Sequence, residues 1–387
     1  MSTTRREIIL AGLAATELTL VPLAALAQDV VKIGYSGPLS GGAALYGKNV
    51  LDGQLMAVAE MNAAGGLKVG GHTVKLEVVA LDDQYNPSQT AINVQRLVQQ
   101  DKTPSVLISH SGGVYAAQTR NQQQNVLIFA SSSVPEITSK GNQLTIRTSP
   151  LFTSYIPGFI QYSMKTHGKR LALAAGDHDY AKAWAKAFKP AWEKAGGEVV
   201  ADNPMSYNKS ADFYSGVSKV LAAKPDVILI GGASEPTGLV IKQARELGFG
   251  GGFVMIDQVK AEEVAKVTDG YAAMNGSIGI MPLIEIPTPK VKAWIANYHK
   301  THPDKTPTWD EALNYVSQHA LGRAMELAGT SSDAKSIRAK MDEAYKTLPA
   351  NTNILDAKGV GADGGVLQAP QVGVINDGKM RPYQMGT

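Results

Sequence analysis

Residues 105–138 read SVLISHSGGVYAAQTRNQQQNVLIFASSSVPEIT. Two short apolar runs, SVLI and VLIFA, each end in a cluster of hydroxyls and glycines. The stretch AAQTRNQQQN between them has helical composition. Strand, helix, strand within about thirty residues is the unit of a parallel sheet, because parallel neighbours need a crossover connection. The runs are continuous rather than alternating in polarity, as expected for strands covered on both faces.

The same alternation extends in both directions. VVKIGYS is a strand, and the segment from Ala43 to Asn62 is a helix. HTVKLEVVAL is a strand, and PSQTAINVQRLVQQD opens a helix with Pro87 in its first turn. After RTSPLF the pattern restarts, with strands RLALAAGD, GEVVADNP, PDVILIGG, FVMID and SIGIMPL separated by helical segments. Helices are expected at about 288–300, 309–328 and 334–346. The tail VLQAPQVGVINDGKMRPY reads as a hairpin turning at NDG. The fold class is therefore α/β, with two doubly wound parallel-sheet lobes.

Composition allows this. The chain has 387 residues, 44% hydrophobic and 18% charged, enough for two full cores. Its formal net charge is +3, and no basic run interleaved with aromatics points to nucleic acid. Residues 1–27 have a basic start, an apolar middle and ALA at the end, the pattern of an export signal cut after Ala27. Arg5 and Arg6 resemble the twin-arginine type, with Ile8 in place of its phenylalanine, and the route stays open. The chain has no cysteine, so neither a disulfide nor a lipid-modified cysteine holds the exported protein. No later stretch is long and apolar enough to span a membrane. A free periplasmic monomer, without membrane insertion, is the expectation.

Doubly wound sheets bind ligands at the carboxyl ends of their strands. That rule selects the loops SHSGGVYAAQ and ASSSVPEIT. Ser133 and Glu136 match a capping box, with Pro135 in the first helical turn. Ser131, Ser132, Ser111 and the backbone beside Gly112 and Gly113 are neutral donors suited to an anionic group. Catalysis is the weaker reading. There is no G-x-S-x-G elbow, and His110 is more commonly structural than a base. No histidine or cysteine spacing indicates a metal, and Asp82–Asp83 read as a strand-end turn. The glycines in KGVGADGG, Gly359, Gly361 and Gly364, lack the strand and helix of a dinucleotide site. No catalytic residue, metal or cofactor is expected.

These residues carry a resemblance. IGYSGPLSGGAALYGKNVLDGQLMAVAEMNAAGGL, LDDQYNPSQTA, ASSSVPEIT with IRTSPLF, and PDVILIGG together resemble the exported binding proteins of branched-chain amino acid ABC transporters. The resemblance covers essentially all of the mature chain. It implies a type I periplasmic binding fold, with two lobes joined by three crossings near Arg147–Leu151, Gly279–Pro282 and Asn351–Ala357. The first lobe would comprise 28–148 plus 281–352, and the second 149–280 plus 353–387. Ligand would lie between them, its carboxylate held by Ser111, Gly112 and Ser131 to Ser133. Tyr46, Tyr180 and Phe152 would form walls, and an inner-membrane ABC permease would be the partner. The family's acid for the ligand ammonium maps to Asp257, with Gln258 next to it. Should Gln258 occupy that position, the ligand is an amine-free aromatic or aliphatic acid, or an amide. Ala233 and Ser234 stand where the family has a tyrosine. A ligand-sensing receptor built on the same lobes is the second reading, and an exported serine hydrolase the third.

Overall fold

A computed structural model describes residues 29–385; the expected export signal lies outside them. The first sheet contains β1 (Asp29–Gly37), β2 (Leu67–Val69), β3 (His72–Asp82), β4 (Ser105–Ile108), β5 (Leu127–Ala130) and β6 (Thr145–Arg147), in the order β2-β3-β1-β4-β5-β6. All pairings are parallel except that of β2 with β3. The second contains β7 (Arg170–Leu173), β8 (Glu198–Asp202), β9 (Val227–Ile230), β10 (Gly252–Met255), β11 (Ser277–Ile280), β12 (Val372–Asn376) and β13 (Lys379–Pro382). Their order is β13-β12-β11-β10-β9-β7-β8. The continuous apolar runs are the central strands: β4, β5, β9, β10 and β11 are buried along their whole length. Edge strand β13 carries Lys379, Arg381 and Pro382, which discourage further pairing.

The tail is the expected hairpin, β12 antiparallel to β13. Its turn residues Asp377 and Gly378 both have positive φ, 52° and 67°, as a two-residue hairpin turn requires. The helix between β4 and β5 runs from Ser111 to Gln118, several residues earlier than composition suggested. The capping box expected at Ser133 does not form. The short helix Glu136–Ser139 starts later than expected, with Pro135 at its N-cap and no side-chain cap, and the Ser133 hydroxyl meets Tyr180 instead. The segment 334–346 folds as two short helices, Ala334–Ala339 and Met341–Lys346.

Helix Trp309–Ala328 returns to the first sheet and packs on helix Ala44–Ala63. Gly53 permits this approach, since a Cβ there would collide with the Glu311 carbonyl. Thr308 and Glu311 form a capping box at the start of the returning helix and fix its first turn. The chain passes from β6 into the second lobe through Thr148–Leu151, and leaves it after β11. Beyond the helices, residues 353–367 stay with the first sheet: Arg147 N–H donates to Gly364 O and Val366 N–H to Arg147 O, at 3.0 and 2.9 Å. The last passage to the second sheet therefore runs through 368–371, later than the Asn351–Ala357 expected, and Met281 N–H donates to Gln371 O there at 3.0 Å.

Candidate ligand-binding site

On the first lobe the site is built at the ends of β4 and β5, where the sheet order reverses beside β1. His110 caps helix Ser111–Gln118. Its Nδ1 accepts from Gly113 N–H at 3.0 Å, so Nε2 carries the proton and faces Asp83 Oδ2 at 3.1 Å. Thr90 Oγ1 also donates to Asp83, at 2.8 Å. Both imidazole nitrogens are occupied away from the serines, so His110 is no base for them. The N–H groups of Ser111 and Gly112, in the first helical turn, have no intrahelical acceptor by position.

The hydroxyls are organised rather than free. Ser111 Oγ and Ser132 Oγ are 2.8 Å apart, and Asn314 Nδ2 donates to Ser131 Oγ at 3.0 Å. Tyr46 braces both loops, its hydroxyl donating to the carbonyl oxygens of Ser109 and, at 3.1 Å, Ser131. Ser133 Oγ lies 2.7 Å from the Tyr180 hydroxyl of the facing lobe. Each serine keeps hydrogen-bonding capacity, because a hydroxyl has one proton and two lone pairs.

The second lobe offers the loop after β10 and the start of helix Asp179–Lys194. The Tyr180 hydroxyl donates to Asp257, and Trp184 Nε1 donates to Asp257 Oδ1 at 2.9 Å. The Asp257 carboxyl faces the cavity rather than bulk water. Desolvation by burial therefore dominates and pushes its pKa up to about 7, against the lowering effects of the Ser133 hydroxyl and the Lys260 charge. Gln258 Nε2 donates to the Tyr85 hydroxyl at 3.4 Å, while its Oε1 is buried without a partner. Ser234 receives the Lys260 backbone N–H at 3.0 Å, so this position orients the Lys260 loop instead of forming a wall.

Between the lobes is a small cavity of about 50 Å³. Tyr46, Ser111, Ser131, Ser132, Ser133, Tyr180 and Asp257 all line it. Gly112 and Phe152 do not. Gly112 packs against the other lobe: a Cβ there would lie 2.7 Å from Asp179 Oδ2, so its small size serves lobe contact. Phe152 is 2% exposed and stacks on Trp184 at 4.8 Å between ring centroids, which makes it core. Tyr155, three residues on, takes the wall position.

Several lining residues carry no local sequence signal. Trp309, Asp310 and Leu313 arrive on the returning helix, and Gln368, Ala369 and Gln371 on the last crossing. Lys260, which composition alone would put in solvent, is buried with its Nζ 3.0 Å from Asp310 Oδ1.

A model of the periplasmic binding protein family matches residues 30–369. The chain belongs to that family. Among curated proteins it is 26% identical over 337 residues to the leucine-, isoleucine-, valine-, threonine- and alanine-binding protein of Pseudomonas aeruginosa, covering 86% of this chain and 88% of that one. Among solved structures it resembles the branched-chain amino acid transporter substrate-binding protein of Streptococcus pneumoniae in complex with isoleucine. That match has a TM-score of 0.75 and 25% identity, over 91% of this chain and 98% of the other. An ABC transporter solute-binding protein of R. palustris in complex with benzoate shares the fold, with a TM-score of 0.76 and 17% identity over 91% and 95% of the two chains. This periplasmic binding protein thus resembles solute-binding proteins of branched-chain amino acid transport. Among its described residues no helix is long and apolar enough to cross a membrane.

Proposed function

We propose that the protein is exported to the periplasm, captures a small amino acid, branched-chain or related, between its lobes, and delivers it unchanged to an inner-membrane ABC permease. One observation carries the amino acid reading. The Ser133 hydroxyl and the Asp257 carboxylate are linked through a single Tyr180 hydroxyl. Neutral donors for a carboxylate and an acid for an ammonium therefore lie about as close as the two groups of an α-amino acid. The ligand carboxylate meets the Ser111 hydroxyl and N–H at the helix start and the Ser131–Ser133 loop. Its ammonium meets Asp257, and Tyr46 and Tyr180 bound the head-group space. Because ligand bridges both lobes only when they are shut, it shifts the population toward the closed state. The first lobe in this reading includes residues up to 367, and the second resumes at 372.

An amine-free acid or amide is the second reading. Gln258 supports it through its unpartnered Oε1, as does the raised pKa of Asp257, which in its protonated form donates a hydrogen bond to a carboxylate. A thermal-shift screen of amino acids against aromatic and aliphatic acids tests the choice, since a ligand bound to the folded state raises the melting temperature by mass action. Stabilisation by leucine, isoleucine or valine supports the proposal. Stabilisation by amine-free acids alone overturns it.

A further inference from the structure

Binding of the ligand's head group leaves one pair of charges in the cleft unused. Lys260 follows β10 in the second lobe, and Asp310 opens helix Trp309–Ala328 in the first. Their side chains are 3% and 9% exposed, with Nζ 3.0 Å from Oδ1. The ammonium also donates to the carbonyl oxygens of Gln258 at 3.0 Å and Asp257 at 3.3 Å, so its three protons are committed. Nearby, Asn49 of the first lobe donates to Glu263 Oε1 of the second at 2.6 Å. Lys260 and Asp310 both line the cavity, with Ile280, Trp309 and Leu313.

Resting on the amino acid reading above, we infer that the Lys260–Asp310 pair is a cross-cleft contact that makes closure conditional on charge balance and excludes ligands with an anionic side chain. The two charges sit on different lobes and meet only when the lobes shut. In the shut state each has the other as its partner, in an enclosed space. Removing one member leaves a buried charge uncompensated, whereas replacing both with apolar groups removes cost and gain together. An anionic ligand side chain would add a further buried charge beside a pair with no donor to spare. The apolar surfaces of Ile280 and Leu313 beside the pair suit a hydrocarbon side chain instead.

The test is a cycle of Lys260→Met, Asp310→Asn and the double variant Lys260→Met/Asp310→Leu, titrated calorimetrically with L-leucine and L-glutamate. Ligand-free melting curves first show that each variant folds. Each single change should weaken L-leucine binding on the order of a hundredfold, and the double variant should return to within about tenfold of wild type. Asp310→Asn, which removes the carboxylate salt-bridged to Lys260, should gain L-glutamate binding that wild type lacks. Equal losses in singles and double, or wild-type binding of L-glutamate as tight as L-leucine, would overturn the inference. Should wild type bind neither amino acid, the functional reading fails separately, and small-angle scattering of the ligand-free chains decides the closing role. Larger radii of gyration for the two single variants than for wild type and the double support it; four equal radii overturn it.

Discussion

The hydroxyls of Ser133 and Tyr180 lie 2.7 Å apart although their residues belong to different lobes. Tyr180 also donates to Asp257, so one phenol joins the neutral donors of the first lobe to the acid of the second. Closure and recognition are therefore one event at this point: the groups that meet the ligand head group also meet each other.

Ser133→Ala removes the first-lobe end of this link. With no capping role to lose, its effect should fall on binding, costing about 1–3 kcal/mol of ligand affinity. Calorimetry checks this, and a ligand-free melting temperature close to wild type is expected alongside. An unchanged affinity would show that the hydroxyl serves lobe contact alone.

The pH dependence of binding should differ in sign between ligand classes. Asp257 has its pKa pushed up to about 7 by burial. A ligand ammonium favours the ionised carboxylate, so binding releases the proton, and amino acid affinity should rise with pH up to about 7 and level off above it. A carboxylate without an amine favours the protonated form, so its affinity should be level below about pH 7 and fall above it. Asp257→Asn should abolish the slope and selectively harm amine-bearing ligands. Titrations at several pH values read this directly, and a pH-independent wild type would remove Asp257 from the head-group site.

Phe152→Ala should cost about 3–5 kcal/mol of folding stability, because it empties a core position stacked on Trp184. The order of ligand preference should not change. Denaturant unfolding and the thermal-shift ranking separate the two effects, and an altered ranking would place Phe152 at the pocket wall after all.

Glu311 gives a stability prediction. Burial pushes its pKa up to about 8, although the Thr308 hydroxyl opposes the shift. With a folded-state pKa above the unfolded value of about 4.3, its contribution is fully present below the unfolded value and is lost as pH rises through about 8. Glu311→Gln keeps a side-chain acceptor for the Thr308 N–H and cannot ionise. It should therefore flatten the fall in melting temperature between about pH 5 and pH 8. An identical fall in both proteins would contradict the burial argument.

The central strands and the serine loops were legible because burial on both faces leaves only continuous apolar runs, and polar residues then gather at strand ends. Seven candidates beside those ends, from Tyr46 to Asp257, reach the cavity. Phe152 was misplaced because its distance along the chain from a crossing does not say which way the ring points. Gly112 was misread because a glycine admits a neighbouring lobe as readily as a ligand. Lys260 and Asp310 were invisible for a different reason. Each is an ordinary charged residue in its own segment, and only the return of a distant helix to the first sheet makes them partners. The last crossing was placed early because pairing of 364–366 with Arg147 follows from the sheet edge, not from local composition.

The central claim is that the cleft grips a zwitterion, its carboxylate on the serine loops and its ammonium on Asp257. Calorimetry at pH 8 with L-leucine and with 4-methylpentanoate, which has the same carbon skeleton without the amine, tests this most directly. L-leucine should bind on the order of a hundredfold or more tighter, the worth of one buried charge-assisted contact. Equal affinity, or tighter binding of the amine-free acid, would contradict it.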